Sequence, residues 1–153
     1  MTPVANEILE HIYARIVAAA SPVEVQPISS ALKMPNSLTQ LVRVEVVNDV
    51  IEDALSTAGA QGAVGMALEI DLVVFARANK ESSKQARALV AGIGQALLAD
   101  HGVVNLQDVP RHRIEHASDD MDTDGDGATE LTVIRSQYSV LYRHRRDNTA
   151  IAA

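Results

Sequence analysis

The sequence contains no cysteine and no tryptophan, and it has one phenylalanine and three tyrosines among 153 residues. The absence of cysteine excludes disulfides, thiolate catalysis and thiolate-bound zinc or iron–sulfur sites. The shortage of aromatic rings predicts a core of Val, Leu, Ile and Ala. It also disfavours a platform on which the bases of single-stranded nucleic acid would stack.

Positive charge is also scarce, with 13 Lys and Arg against 20 Asp and Glu and a net charge of −7. A duplex-binding surface needs clustered positive charge, so direct nucleic-acid recognition is not expected. The longest apolar runs, such as residues 72–76, are far shorter than the ~20 residues of a membrane span. The N-terminus lacks the pattern of a secretory signal, so we expect a cytoplasmic protein without membrane attachment.

Two amphipathic helices are predicted from the spacing of apolar residues. Spacings of three and four over residues 3–20 predict the first helix, which ends before Pro22. The same spacing predicts a second helix over residues 79–100. Gly92 and Gly94 are costly inside a helix, so they indicate a close approach of this helix to the sheet.

Several segments have the alternating polarity of β-strands. Residues 41–47 and 130–145 predict strands, and residues 65–78 predict a long strand whose second face becomes buried toward its end. Short extended pieces are expected at 103–106 and 113–117. The chain is therefore predicted to be α+β, with a mainly antiparallel sheet and two amphipathic helices packed on one face.

The domain boundaries follow from the polar segments. Residues 115–130 contain seven acids and no Lys or Arg, which predicts a solvated loop between two strands. Residues 1–146 are predicted to form a single domain, and residues 147–153 a disordered tail. Residues 21–40 and 48–64 are predicted to be long connecting loops.

The acidic loop contains a pattern that resembles the start of a calcium loop, because carboxylates at every second position can converge on one ion. The carboxylates are Asp120, Asp122, Asp124 and Asp126. A complete loop also needs a bidentate Glu at its twelfth position, where Leu131 or Val133 stands in the two possible registers. These residues are therefore weak metal candidates, and an exposed hairpin loop without a metal is the expected structure.

Signatures of catalysis are missing from the sequence. It contains no Gly-x-Ser-x-Gly elbow, phosphate-binding loop or dinucleotide fingerprint. His112 and His116 are four residues apart, but their segment is predicted to be extended, so they do not form a helix-spaced metal pair. Four histidines are expected at the surface: His101, His112, His116 and His144. No catalytic residue, enzyme activity or cofactor is predicted.

Charge is concentrated in two sets of residues that are candidates for interaction. The basic set comprises Arg111, Arg113, Arg143, Arg145 and Arg146. The acidic set comprises Asp119, Asp120, Asp122, Asp124 and Asp126. They are either ordinary solubilising charge, or a polarised surface on which the basic patch of one copy meets the acidic patch of another copy or of a partner. Head-to-tail contacts of this kind close into rings when the rotation permits.

The order of elements resembles the tail terminator proteins of long-tailed bacteriophages, related to the minor tail protein U type. The resemblance covers about residues 3–145, with an N-terminal helix, the long strand over residues 66–77 and a helix over 83–99 directly after it. The closing strand Tyr138-Ser-Val-Leu-Tyr142 completes it. The excursion at 115–130 aligns with no feature of the family.

The resemblance implies a small subunit of a homo-hexameric ring at the head-proximal end of the tail tube. Such a ring ends tube polymerisation and offers a surface to the head connector, so the implied partners are further copies, the tail-tube protein and the head-connector protein. The implied location is the virion tail, assembled in the host cytoplasm. The family is not defined by catalytic residues, so none is carried over. Two alternatives remain: a head–tail joining protein of the neck, and a calcium-dependent binding module.

Overall fold

A computed structural model of the chain describes residues 2–27, 38–57, 62–125 and 129–153. Within these ranges the chain forms two α-helices and one sheet of seven strands. The helices are α1 (Val4–Ala20) and α2 (Ser82–Leu97). The strands are β1 (Val25–Pro27), β2 (Gln40–Ile51), β3 (Ala63–Ala78), β4 (Val103–Val104), β5 (His112–Gly125), β6 (Glu130–Arg145) and β7 (Asn148–Ala152).

The sheet has the strand order β1-β2-β3-β6-β5-β4, and β7 pairs with the end of β6. Strands β1 and β2 pair in parallel, and the other neighbouring strands are antiparallel. This arrangement confirms the predicted α+β class with a mainly antiparallel sheet. The longest ladder joins β3 to β6, and these two strands lie at the centre of the sheet.

The main core lies between the helices and one face of the sheet. Ile8, Ile12 and Ile16 of α1 are fully buried because their spacing places them on one side of the helix. They belong to the same cluster as Ile93 of α2 and Leu72 of β3. The helix predicted over residues 3–20 is therefore confirmed to within one residue at its start.

The second helix is shorter than predicted, because α2 ends at Leu97 instead of residue 100. Three successive residues beyond it have left-handed backbone angles, with φ of 54° at Asp100, 58° at His101 and 76° at Gly102. A Cβ at Gly102 would collide with the backbone carbonyl of Ile114. Glycine is therefore required where this turn passes against β5.

The face of the sheet that does not contact the helices carries a smaller apolar cluster, and we call it the open face. Leu41, Val73 and Phe75 are buried there. Their burial confirms the prediction that the second face of β3 becomes buried toward its C-terminal end. Leu131 and Val133 of β6 pack against the same cluster.

Two predictions about polar segments were wrong. The segment 115–130 is not a loop as far as Gly125, because β5 continues through it and pairs with β6. Pairing with a strand whose own side chains are buried overrides the low strand propensity of aspartate. Residues 147–153 also include the strand β7, which pairs with His144 and Arg145.

The connecting loops are also shorter than predicted, because β2 extends to Ile51 and a short 3₁₀ helix follows at Asp53–Leu55. Half of the loop predicted at 21–40, residues 28–37, lies outside the described residues. Neither α1 nor α2 combines the length and apolar character that crossing a membrane would require, and no other helix in the described part of the chain does.

Candidate interaction surfaces

The two charged sets lie at opposite ends of the hairpin formed by β5 and β6. The basic set lies at the start of β5 and the end of β6, where Arg113 pairs with Leu141. The acidic set lies toward the other end, where Asp124 pairs with Leu131. Eleven residues separate Arg113 from Asp124 along the strand, which corresponds to about 35 Å at the usual rise per residue.

We call the first of these regions the basic end; its residues are Arg111, Arg113, Arg143, Arg145 and Arg146. Arg111, Arg113 and Arg143 line one open depression of about 420 Å³. Its walls also contain Leu55 and Val103. The structure therefore brings together arginines from two separate segments of the sequence, as the polarised-surface interpretation requires.

The arginines of the basic end differ in how their charge is neutralised. Arg113 forms an ion pair of 3.4 Å with Glu115, and Arg145 forms one of 2.7 Å with Asp147. Arg146 donates a hydrogen bond of 2.7 Å to the carbonyl of Thr57. Arg111 and Arg143 form no ion pair within the described residues, so their charge is available to a partner.

The acidic region follows the outer strand β5, and we call it the acidic edge; its described residues are Asp119, Asp120, Asp122 and Asp124. Asp126 lies outside the described residues. All eleven residues from 115 to 125 are exposed. Asp120 is opposite Arg135 in the register of β5 and β6, yet the Arg135 guanidinium contacts Glu45 and Asp71 instead.

The extended backbone of β5 also bears on the metal interpretation. Alternate residues of a strand point to the same face at intervals of about 6.6 Å, so Asp120, Asp122 and Asp124 form a row along the strand. A calcium loop instead curls its oxygens around the ion. Among the described residues, no group of three His, Asp or Glu side chains is placed to hold a metal ion.

A groove runs between α2 and the part of β5 that follows residue 115. It has a volume of about 550 Å³, and its α2 wall is formed largely by small and apolar residues: Val90, Ala91, Gly94 and Leu98. His116, Asp119 and Tyr138 line the opposite wall. A Cβ at Gly94 would lie 3.1 Å from the Tyr138 hydroxyl, whereas one at Gly92 would meet nothing within 4 Å. The predicted close approach is therefore confirmed for Gly94 and wrong for Gly92.

Ser136, His116 and Asp119 meet at the wall of this groove. Asp119 Oδ1 lies 2.8 Å from His116 Nε2, Ser136 Oγ lies 3.3 Å from the same nitrogen, and the Ser136 hydroxyl donates to Asp119. A nucleophilic relay needs the acid on one ring nitrogen and the hydroxyl on the other. Both groups share Nε2 here, so this geometry positions Asp119 and does not activate Ser136.

These contacts have an electrostatic consequence for Asp119. Partial burial would by itself raise the pKa of the Asp119 carboxyl. The hydrogen bonds from Ser136 and His116 outweigh that effect and lower the pKa below its ordinary value. Asp119 therefore stays ionised, and it adds a fixed negative charge where the groove meets the acidic edge.

An ion-pair network across three strands was not predicted from the sequence. Arg135 Nη1 of β6 donates to Asp71 of β3 at 2.7 Å and to Glu45 of β2 at 2.9 Å, and Arg43 lies 3.2 Å from Glu45. The hydrogen bonds to Asp71 and Glu45 raise the pKa of Arg135. Arg43 and Glu45 alternate with valines in β2, a pattern that indicates a shared face but not the partners on other strands.

His112 is buried, with 3 % of its surface exposed, so the expectation of a surface histidine was wrong there. Its Nδ1 lies 2.8 Å from the carbonyl of Pro110, and its ring meets the ring of His11 edge-on at 6.0 Å. Burial lowers the pKa of His112, and it also lowers the pKa of His11, to which the neighbouring charge of Arg15 adds. Both side chains are therefore neutral at pH 7.

No protein-family model and no curated protein matches this chain. One of the solved structures that it resembles is a chain from the virion of a native gene transfer agent particle. The two chains are 13 % identical, with a TM-score of 0.41 over 91 % of this chain and 92 % of that chain. A similarity of this size carries no argument, so the function is inferred from the residues and the geometry of this chain.

Proposed function

We propose that this chain is a structural subunit of a phage or prophage tail, acting as a tail terminator. Six copies form a ring that caps the tail tube, ends its polymerisation and offers a surface for head attachment. Its partners are further copies of itself, the tail-tube protein and the head-connector protein. The proposal includes no chemical reaction, no cofactor and no membrane, and it places the ring in the virion tail after assembly in the host cytoplasm.

The observation that carries the proposal is the separation of charge along one hairpin. Arg113 of the basic end and Asp124 of the acidic edge lie about 35 Å apart along one strand, so one subunit presents two chemically different surfaces. A protein that ends a polymer needs unlike surfaces of this kind, because one must match the polymer and the other must not propagate it. Charge complementarity sets which partner docks and in which register.

A second support is the resemblance in element order to the tail terminator family. The structure contains the corresponding elements α1, β3, α2 and β6 in the same order. At the groove between α2 and β5, Ser136 and Asp119 both contact the same ring nitrogen of His116. This arrangement does not activate the Ser136 hydroxyl as a nucleophile. Both features are consistent with a protein that works through its surfaces.

The proposal is tested by sedimentation velocity on the purified chain, alone and mixed with tail tubes. We expect a species of six chains of 16.4 kDa, about 98 kDa, alone or at the tube ends. Two variants then separate the surfaces: Arg111→Glu with Arg143→Glu, and Asp120→Asn with Asp122→Asn and Asp124→Asn. Each variant should form the ring and lose one of the two partners, the tube or the connector.

Two outcomes would contradict the proposal. The first is a strictly monomeric protein that never binds tube ends. The second is a pair of variants that both retain, or both lose, the two partners. Tail length in a knockout separates the joining-protein alternative, because loss of a terminator gives overlong tubes, whereas loss of a joining protein leaves tails of normal length without heads.

A further inference from the structure

Among the described strands, none pairs with the outer side of β5 beyond its first two residues, so this side is a free strand edge. On its inner side β5 pairs with β6 from His112 to Gly125, while on its outer side β4 pairs only with His112 and Arg113. No other described strand lies beyond β5. Half of the backbone N–H and C=O groups of residues 118–125 therefore have no partner strand in the described part of the chain, and such an edge can accept another strand.

The part of this edge that can take up a strand without interruption is residues 118–125. A register shift between His116 and Ser118 marks a bulge, and the pairing with β6 is regular after it. Eight residues of regular strand, exposed throughout, are longer than the average strand of a globular protein, which is about five to six residues.

The charge of the edge selects against a second copy as the occupant. Residues 118–125 carry four aspartates and no Lys or Arg. If two copies paired through β5, carboxylates would face carboxylates across the new ladder, which is destabilising. A strand that carries Lys or Arg would instead form ion pairs with the same side chains.

The two faces of this strand edge favour different side chains in an added strand. Asp120, Asp122 and Asp124 point to the open face of the sheet, where no ion pair within the described residues neutralises them. On the other face, Asp119 is held by His116 and Ser136, Met121 is 42 % exposed, and the apolar wall of the groove lies beside the strand. An added strand would therefore place basic residues on one face and apolar residues on the other.

We propose that residues 118–125 bind, by strand addition, an extended segment of a different protein in which Lys or Arg alternates with apolar residues. This inference rests on the proposed function, because it names the chemistry of the partner that docks at the acidic edge. Backbone hydrogen bonds supply affinity, and the alternation of side chains supplies specificity.

The test measures binding of a nine-residue peptide of alternating lysine and valine, with capped termini, to the full chain in low salt. We expect saturable binding, and we expect every second amide of residues 118–125 to exchange with solvent at least tenfold more slowly in the complex. A peptide of the same composition with its lysines in one block should bind at least tenfold more weakly. A peptide of alternating glutamate and valine should not bind.

Matched protein variants separate the edge from overall charge. The triple variant Asp120→Asn, Asp122→Asn, Asp124→Asn should weaken binding of the lysine–valine peptide at least tenfold. A control that removes the same charge from exposed positions elsewhere, Glu7→Gln with Glu10→Gln and Asp108→Asn, should change it less than twofold.

Three outcomes would overturn the inference. They are equal binding of the alternating peptide and of the peptide with its lysines in one block, no protection of alternate amides, or protection of the same amides in a dimer without peptide. The last would identify a second copy as the occupant. Peptide binding requires neither a ring nor a tail tube, so failure of the hexamer experiment would leave this result standing, and the reverse also holds.

Discussion

Replacing Arg135 with glutamine should destabilise the sheet. Arg135 stands between two carboxylates that face each other in the register of β2 and β3, Glu45 and Asp71. It donates to both of them, at 2.9 Å and 2.7 Å. The Asp71 side chain is 7 % exposed, and its Oδ1 has no hydrogen-bond partner within the described residues. In the variant this carboxylate loses its cation and keeps a like charge opposite.

The size of the effect follows from burial. Removing one partner of a fully buried ion pair costs about 3–5 kcal/mol, and an exposed pair contributes about 1 kcal/mol or less. The Arg135 side chain is 44 % exposed while Asp71 is buried, so the network lies between these limits. We expect a loss of about 2–3 kcal/mol in the free energy of unfolding at pH 7, and a fall in Tm of about 5–10 °C.

The assay is urea denaturation of the wild type and Arg135→Gln at pH 7, with Arg87→Gln as control. Arg87 is exposed on α2 and forms no ion pair in the described part of the chain. A difference below about 1 kcal/mol would refute this reasoning.

Two further predictions concern the turn after α2 and the buried histidines. Gly102→Ala should lower the free energy of unfolding by at least about 2 kcal/mol, because the new Cβ is strained at φ 76° and meets Ile114. Gly92→Ala places its Cβ in open space and should raise the free energy of unfolding by about 1 kcal/mol. Thermal denaturation of both variants checks this prediction, and equal effects would contradict it. The pKa values of His11 and His112 are lowered in the folded chain, so as the pH falls the unfolded chain takes up protons before the folded chain does. The contribution of these histidines to the free energy of unfolding is therefore fully present above pH 6.5 and should be lost as the pH drops below that value. Denaturation at pH 7.5 and 5.5 should show a smaller loss in the variant His11→Gln with His112→Gln than in the wild type, and equal losses would rule out these histidines as the cause.

The parts of the fold that could be predicted are those in which the side chains report burial directly. The isoleucines of α1 repeat at intervals of four and mark the buried side of the helix. The apolar alternation of β3 and β6 marks strands for the same reason. These elements form most of the main core, so the α+β class followed from them.

The rest depended on contacts between distant segments. Residues 115–125 are exposed throughout, so no burial pattern marks β5 as a strand, and only its ladder with β6 makes it one. The same ladder places Arg113 beside the end of β6, far from the aspartates that follow it in sequence. Burial of His112 and the contacts of Arg135 likewise arise from neighbours more than 60 residues away.

The proposed termination of tube growth is tested most directly by the length of tail tubes. Tubes would be assembled from the purified tail-tube protein with increasing amounts of this chain, and their lengths measured by electron microscopy. We expect the mean length to fall as the molar ratio of this chain to tube protein rises, with a ring visible at one end of each tube. Tubes of unchanged length with bare ends at every ratio would contradict a role in ending polymerisation.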